Sequence, residues 1–343
     1  RPALTDEAPP TLAAPARPEG YRIAVTKSRS DRPIVWVLGE DSRGVLFGVG
    51  RLLRELRLQR DRVLLPAAFQ IATAPRYAVR GHQLGCRPKT NSYDAWSAPM
   101  WEQYLRDLAV FGCNAIELIP PRSDDDADSR HFPRPPLAMM IEMARLADAY
   151  GMDVWIWYPA LDRDYSDPKT IAFAVEEWAA VFRALPRVDH VFVPGGDPGA
   201  TPPRPLFNLL KEQTANLKTF HPKAQMWFSP QSFDQAASEE IQALVRSEPE
   251  WLGGLVFGPQ VRPNLPELRA ATPRRYPIRF YPDITHNRSC QYPVPFWDRA
   301  FALTEAREVI NPRPLDQAAI FRKYAELTNG FITYSEGCND DVN

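Results

Sequence analysis

The hydrophobic pattern of this chain changes its rhythm at Pro75. Ahead of it, residues 21–25 alternate apolar and polar positions and residues 34–38 form a continuous apolar run, the signatures of half-buried and fully buried strands. Asp41-Ser42-Arg43-Gly44 then reads as a helix start, with Val45, Val49, Leu52, Leu53 and Leu56 on the face turned inward. Short strands resume at 63–65 and 69–71. The pattern predicts a small α+β domain over residues 20–75, a sheet with one covering helix. Residues 1–19, rich in Pro and Ala, read as a linker or a poorly ordered terminus.

Beyond Pro75 the order becomes strand, loop, helix, repeated. The apolar runs predict strands at 77–84, 115–119, 153–157, 190–193, 225–228, 254–257, 278–281 and 331–334. Helical spacing separates them, as in Trp101, Tyr104, Leu105, Leu108 and Phe111 behind Ser97, and in Met140, Met143, Ala144 and Ala147 ahead of Gly151. Strands alternating with helices imply a parallel sheet, and eight of them predict an α/β fold of the TIM-barrel type, a (β/α)8 barrel over residues 76–343. The chain stops soon after the eighth strand, so the final barrel helix is expected beyond Asn343.

Composition narrows the function. With 41 basic and 42 acidic residues the net charge is −1, so no electrostatic footprint for nucleic acid or an anionic membrane exists. No apolar run approaches the roughly 18 residues of a membrane span. The 36 prolines are twice the usual ~5% share and sit between periodic segments, stiffening the loops. Cys86, Cys113, Cys290 and Cys338 lack CxxC spacing.

Candidate chemistry starts at His190-Val191-Phe192-Val193-Pro194-Gly195-Gly196-Asp197-Pro198-Gly199. A buried strand ends there in glycines that permit a tight turn, and Asp197 stands at the C-terminal mouth, where such barrels keep their chemistry. The alternative is an ordinary strand-to-helix turn with Asp197 as a cap.

Two stretches carry a family resemblance. Asp41-Ser42-Arg43-Gly44-Val45-Leu46-Phe47-Gly48-Val49-Gly50-Arg51-Leu52-Leu53 and Ala74-Pro75-Arg76-Tyr77-Ala78-Val79-Arg80-Gly81, set behind the two predicted strands, resemble glycoside hydrolase family 20. In that family a small α+β domain precedes the β-N-acetylhexosaminidase barrel; family 67 α-glucuronidases and family 84 hexosaminidases have a similar front domain. The family's fourth strand ends in GGDE, whose Asp orients the acetamido group and whose Glu is the general acid. Here Gly195-Gly196-Asp197 matches and Pro198 replaces the Glu, so that acid does not carry over. Tyr334-Ser335-Glu336 looks like the family's Trp-Ser/Thr-Glu, whose Glu binds sugar hydroxyls. The resemblance places the family's first-strand Arg near Gly85–Arg87.

Glycoside hydrolysis generally needs two carboxyl groups flanking the bond. Strand ends offer Glu117, Asp162, Asp197, Asp283, Glu336, Asp340 and Asp341. Glu117, inside an apolar strand, is either functional or paired within the barrel. Asp283 and His286 form an acid–base pair or a sugar-binding pair, or else an Asx turn with a solvent-facing His. Glu336 leads an acidic cluster in which Asp340 and Asp341 also suit a helix N-cap. Trp157 and Trp227 are the expected stacking platforms, against the commoner role of barrel core. His82, Cys86, His286, Cys290 and Cys338 lack a standard zinc spacing, and a disulfide or plain thiols explain them as well. Arginines near the same mouth, Arg87 and Arg122 among them, suit a uronic acid's carboxylate or simply the strand-end acids.

The sequence therefore predicts a glycosidase acting on a hexosamine- or uronic-acid-bearing glycan, with Glu336, Asp283 and Asp197 as catalytic candidates. Trp157, Trp227, His286, Arg87, Tyr334 and Asp340 are the candidates for binding the oligosaccharide or polysaccharide. No metal or cofactor is called for, and a periplasmic or secreted location is expected. A non-catalytic carbohydrate-binding barrel, motivated by Pro198, is the alternative.

Overall fold

The computed structural model describes residues 9–10, 16–66, 68–84, 95–124, 131–258, 260–284 and 314–334. The chain forms two compact units, residues 1–78 with 103–114, and residues 79–102 with 115–343.

In the first unit, β1 (Tyr21–Lys27) lies between β2 (Pro33–Gly39) and β5 (Gln70–Thr73), antiparallel to both. A small hairpin of β3 (Arg57–Leu58) and β4 (Val63–Leu64) stands apart from this sheet. Helix α1 (Ser42–Glu55) starts at Asp41, whose carboxylate accepts from the Gly44 N–H at 2.7 Å. Its buried residues are Gly44, Phe47, Gly48 and Gly50, with Phe47 packed on Tyr21 and Ile23.

The predicted inner face was wrong. Val45, Val49 and Leu53 are 43%, 39% and 52% exposed. At its glycines the helix comes too close to the sheet for a side chain: a Cβ at Gly48 would lie 2.7 Å from Val37 Cγ1. Leu52 alone of the predicted stripe packs, partly buried, on this core.

The second unit is a closed barrel of eight parallel strands: β6 (Val79–Leu84), β7 (Ala115–Leu118), β8 (Asp153–Trp157), β9 (His190–Pro194), β10 (Gln225–Ser229), β11 (Leu252–Phe257), β12 (Ile278–Phe280) and β13 (Gly330–Thr333). Covered by helices outside and filled within, such strands are apolar on both faces, which is why their runs stand out in the sequence. Closure joins β13 to β6, from Gly330 opposite Val79 to Thr333 opposite His82. Gly330 has φ +132° and its Cβ would stand 1.8 Å from the Val79 carbonyl, so only glycine fits this seam.

Between the strands run α2 (Ala98–Val110), α3 (Pro136–Ala149), α4 (Pro168–Ala184), α5 (Pro203–Phe220), α6 (Gln235–Arg246) and α7 (Leu265–Ala271), with a further helix over Pro314–Tyr324. Part of the proline excess has its place here: α3, α4 and α5 each begin on one, where the missing N–H costs nothing and φ is already set. Trp101 and Leu105 of α2 are buried as expected, but Phe111 lies beyond the helix end, 72% exposed.

Alternate strand positions point inward. Ala115, Trp155, Trp157, Phe192, Trp227, Val256, Tyr281 and Ile332 fill the barrel as one cluster. Among the described residues no helix is long and apolar enough to cross a membrane.

Candidate active site

One side of the barrel mouth is built from the loops after β9, β10 and β11, which are zipped together by backbone bonds. Gly196 N–H donates to the Gln231 carbonyl at 2.9 Å, Ser232 N–H to the Gln260 carbonyl at 3.0 Å, and Gln231 forms an antiparallel bridge with Val261. The loops lie so close that a Cβ at Gly195 would meet Phe233 Cε2 at 2.3 Å and one at Gly196 the Ser232 carbonyl at 2.7 Å. The paired glycines therefore serve close approach between loops. It is Gly199, at φ +126°, that takes the conformation reserved for glycine.

Asp197 sits in this frame, half-buried. Gln231 Nε2 donates to its backbone carbonyl at 2.7 Å and Gln260 Nε2 to its Oδ2 at 2.5 Å. The helix that follows starts behind Pro202, with no side-chain cap, so the capping alternative for Asp197 does not hold.

The other side is formed by β12 and β13. Beyond β12 the chain stays extended: Tyr334 N–H donates to the Pro282 carbonyl at 2.8 Å and Ile284 N–H to the Tyr334 carbonyl at 3.1 Å, pairing Asp283 with Tyr334. Asp283 is 4% exposed and continues the barrel's strand pairing. Tyr334 is buried, its ring edge-on to Tyr281 at 5.9 Å, and Tyr281 in turn meets Phe192 of β9 at 5.6 Å.

Inside the barrel lies a polar network. Gln83 Nε2 donates to Glu117 Oε1 at 2.9 Å and to the Tyr281 hydroxyl at 3.2 Å. The other Glu117 oxygen takes Nη1 of Arg279, and both residues are fully buried. The guanidinium stacks on Trp155 at 4.6 Å and Phe192 at 4.8 Å. Of the two readings of Glu117, pairing within the barrel is the one observed, which removes it from the strand-end carboxylates.

Trp227 is a correction. Its indole is 2% exposed and donates through Nε1 to His190 Nδ1 at 3.1 Å, so it packs in the core and presents no face for stacking. Trp157 is also in the core cluster, 5% exposed, level with Phe192 near the mouth end of β8. His190 stacks on Trp155 at 4.0 Å, and burial pushes its imidazole down to about 4 against the opposing pull of Asp189 and Asp153. A neutral ring there accepts the Trp227 bond through Nδ1.

Asp162 is engaged by Arg122, whose Nη2 donates to Oδ1 at 2.7 Å while Nη1 reaches Glu177 at 3.1 Å. Desolvation holds the Glu177 carboxyl above its ordinary range even beside Arg122. This arginine is thus occupied by strand-end and helix carboxylates, the commoner of its two expected roles. His82 is bonded to Thr333 at 2.5 Å. Among the described residues no group of His, Cys, Asp and Glu is placed to hold a metal ion. Glu336, His286, Arg87, Asp340, Asp341, Cys86, Cys290 and Cys338 lie outside the described residues.

Sequence reading missed Gln231 and Gln260, which orient Asp197, and Ser229 at the end of β10. The available signal was position: Ser229 and Gln231 are polar residues directly at the end of an apolar strand.

The fold and the mouth define a (β/α)8 barrel with carboxylates at the ends of its fourth and seventh strands. No family model matches the sequence, and no curated protein matches it in sequence. Among solved structures it is similar to a mutant Streptomyces plicatus β-hexosaminidase in complex with product GlcNAc, at TM-score 0.54 and 15% identity over 95% of this chain and 72% of that one. It is also similar to a family 89 glycoside hydrolase from Clostridium perfringens in complex with PUGNAc, at TM-score 0.57 and 10% identity over 93% of this chain. The same Clostridium enzyme is matched in complex with its substrate GlcNAc-α-1,4-galactose, at TM-score 0.57 and 11% identity. This chain spans 43% of the family 89 structures' length. At such identities the likeness establishes the fold.

Proposed function

We propose that this chain is a glycosidase-like enzyme that binds a hexosamine- or uronic-acid-bearing glycan at the C-terminal mouth of its barrel. The observation that carries the reading is the placement of Asp197, its carbonyl and carboxylate held by Gln231 and Gln260, at the end of the fourth strand of such a barrel. The solved relatives named above were captured with GlcNAc or ligands related to it, which supports a carbohydrate as the ligand class. Asp283, at the end of the seventh strand, is the second carboxylate, and Glu336 is the third candidate from sequence.

In this reading Asp197 binds and orients the terminal sugar, and Asp283 or Glu336 supplies the acid/base function. A carboxyl separation of about 5–5.5 Å would accompany retention of configuration, and about 6.5–9.5 Å inversion. Trp157, Tyr334, His286, Arg87 and Asp340 are the proposed binding residues.

Purified protein assayed on a panel of aryl glycosides tests the reading. Turnover abolished by Asp283→Asn or Glu336→Gln, with sugar binding kept, is the expected result. The second reading, a non-catalytic carbohydrate-binding barrel, is favoured by Pro198, which has no proton to give where the resemblance places the acid. Sugar binding without turnover of any glycoside would select it.

A further inference from the structure

The alternation that turns Tyr281 into the barrel interior turns Phe280, Pro282 and Ile284 outward, toward the helix over Pro314–Tyr324. That helix lays Gln317, Phe321 and Tyr324 along one face, at i, i+4 and i+7. Its second half is closely packed: Phe321 meets Phe331 of β13 edge-on at 5.1 Å, and Tyr324 lies 5.9 Å from Phe280. One turn earlier the same face offers only Gln317 and Ala318, and there the two layers do not close. A pocket of about 210 Å³ remains between the helix and the ends of β12 and β13.

This pocket is reachable from solvent. Phe321, Phe331 and Thr333 all line it and stay only half-buried, although they lie between two layers of the fold. Its lining is apolar apart from two side chains. The Thr333 hydroxyl is engaged, bonded to His82 and to the Gly81 carbonyl. Gln317 is 7% exposed, and its buried Nε2 has no hydrogen-bond partner among the described residues. A buried donor left alone bears its full desolvation cost, so Nε2 marks a place for an acceptor. The space suits a single ring, since apolar cavities of about 150 Å³ take up benzene.

We propose that this pocket binds a small uncharged ring compound carrying a carbonyl oxygen, with the ring against Phe321, Phe331 and Ile284 and the oxygen accepting from Gln317 Nε2. Among the described residues no charged side chain lines the pocket, and an ion there would lose its hydration without compensation. The pocket lies outside the barrel wall and does not rest on the glycan reading. It stands behind Asp283, which sits between the outward-facing Pro282 and Ile284, so an occupant braces that strand end from the rear.

The test is a ligand-observed NMR titration with acetophenone and with α-methylstyrene, which keeps the shape but has a CH₂ in place of the carbonyl oxygen. Wild type is expected to bind acetophenone saturably and at least five-fold more tightly than α-methylstyrene. Ala318→Leu, which fills the pocket, should weaken acetophenone at least ten-fold. Gln317→Leu keeps the bulk, removes the donor and should abolish the preference between the two probes. No saturable binding of either probe by wild type overturns the proposal and leaves a pocket that holds water only. Acetophenone affinity unchanged in Ala318→Leu overturns it too, because the probe then sits elsewhere. Should Ala318→Leu fail to fold, Gln317→Leu decides alone: a preference for acetophenone that survives in it sinks the site.

Discussion

Arg279 Nη1 donates to Glu117 Oε2 inside the closed barrel, joining β12 to β7 across 162 residues of sequence, with both side chains fully buried. Gln83 bonds the second Glu117 oxygen and also Tyr281, so the pair supports the ring that borders the mouth. Such a pair is weak evidence of net stabilisation, but breaking it from one side leaves a buried charge alone.

Glu117→Gln is therefore expected to destabilise the protein by about 3–5 kcal/mol in urea unfolding. Adding Arg279→Met, which removes the stranded charge, should restore a large part of that loss. A single variant as stable as wild type would contradict the pairing.

His190 gives the barrel an acid limit. Its folded-state value is lowered to about 4 by burial, below the ordinary 6.5. As pH falls between those values the unfolded chain takes up a proton that the native state refuses, so stability drops through this window and is whole above it. The loss grows to roughly 3 kcal/mol as pH reaches the folded-state value. His190→Gln keeps an acceptor for Trp227 and cannot titrate, so its unfolding midpoint should vary less from pH 7 to pH 4. Parallel pH profiles for the two proteins would refute the assignment.

The glycine pair ahead of Asp197 is a packing requirement. With a Cβ at Gly195 only 2.3 Å from Phe233 and 2.6 Å from the Ser229 carbonyl, Gly195→Ala should cost about 1–3 kcal/mol, as overpacked sites do. Denaturant titration reads this directly. A full-stability Gly195→Ala protein would show that the loops can separate freely.

Asp197 should matter through its placement as well as its charge. On an aryl glycoside that wild type hydrolyses, Asp197→Asn is expected to lower kcat/KM by about two orders of magnitude, the scale of a lost charge-assisted contact to the substrate. Gln260→Ala, which frees Oδ2 but leaves the carboxylate, should lower it by roughly ten-fold, the scale of one hydrogen bond. Equal effects from both substitutions would mean that orientation by Gln260 is all that Asp197 needs.

The sequence by itself determined the eight barrel strands and their order along the chain. Parallel strands buried on both faces leave unbroken apolar runs such as Val191-Phe192-Val193, and the helices between them keep their own period. It also pointed to Asp197, because a carboxylate after paired glycines at a strand end is a local feature. What it did not decide was partnership. Glu117 could be read as functional or paired until closure of the barrel brought Arg279 beside it. Trp227 read as a platform until the interior placed His190 at its indole N–H. The inner face of α1 was misread because a close helix–sheet contact selects glycines such as Gly44 and Gly48, and hydrophobic period is blind to them. Along the barrel strands the apolar runs record burial; which residues meet there depends on register and closure, and those exist only in three dimensions.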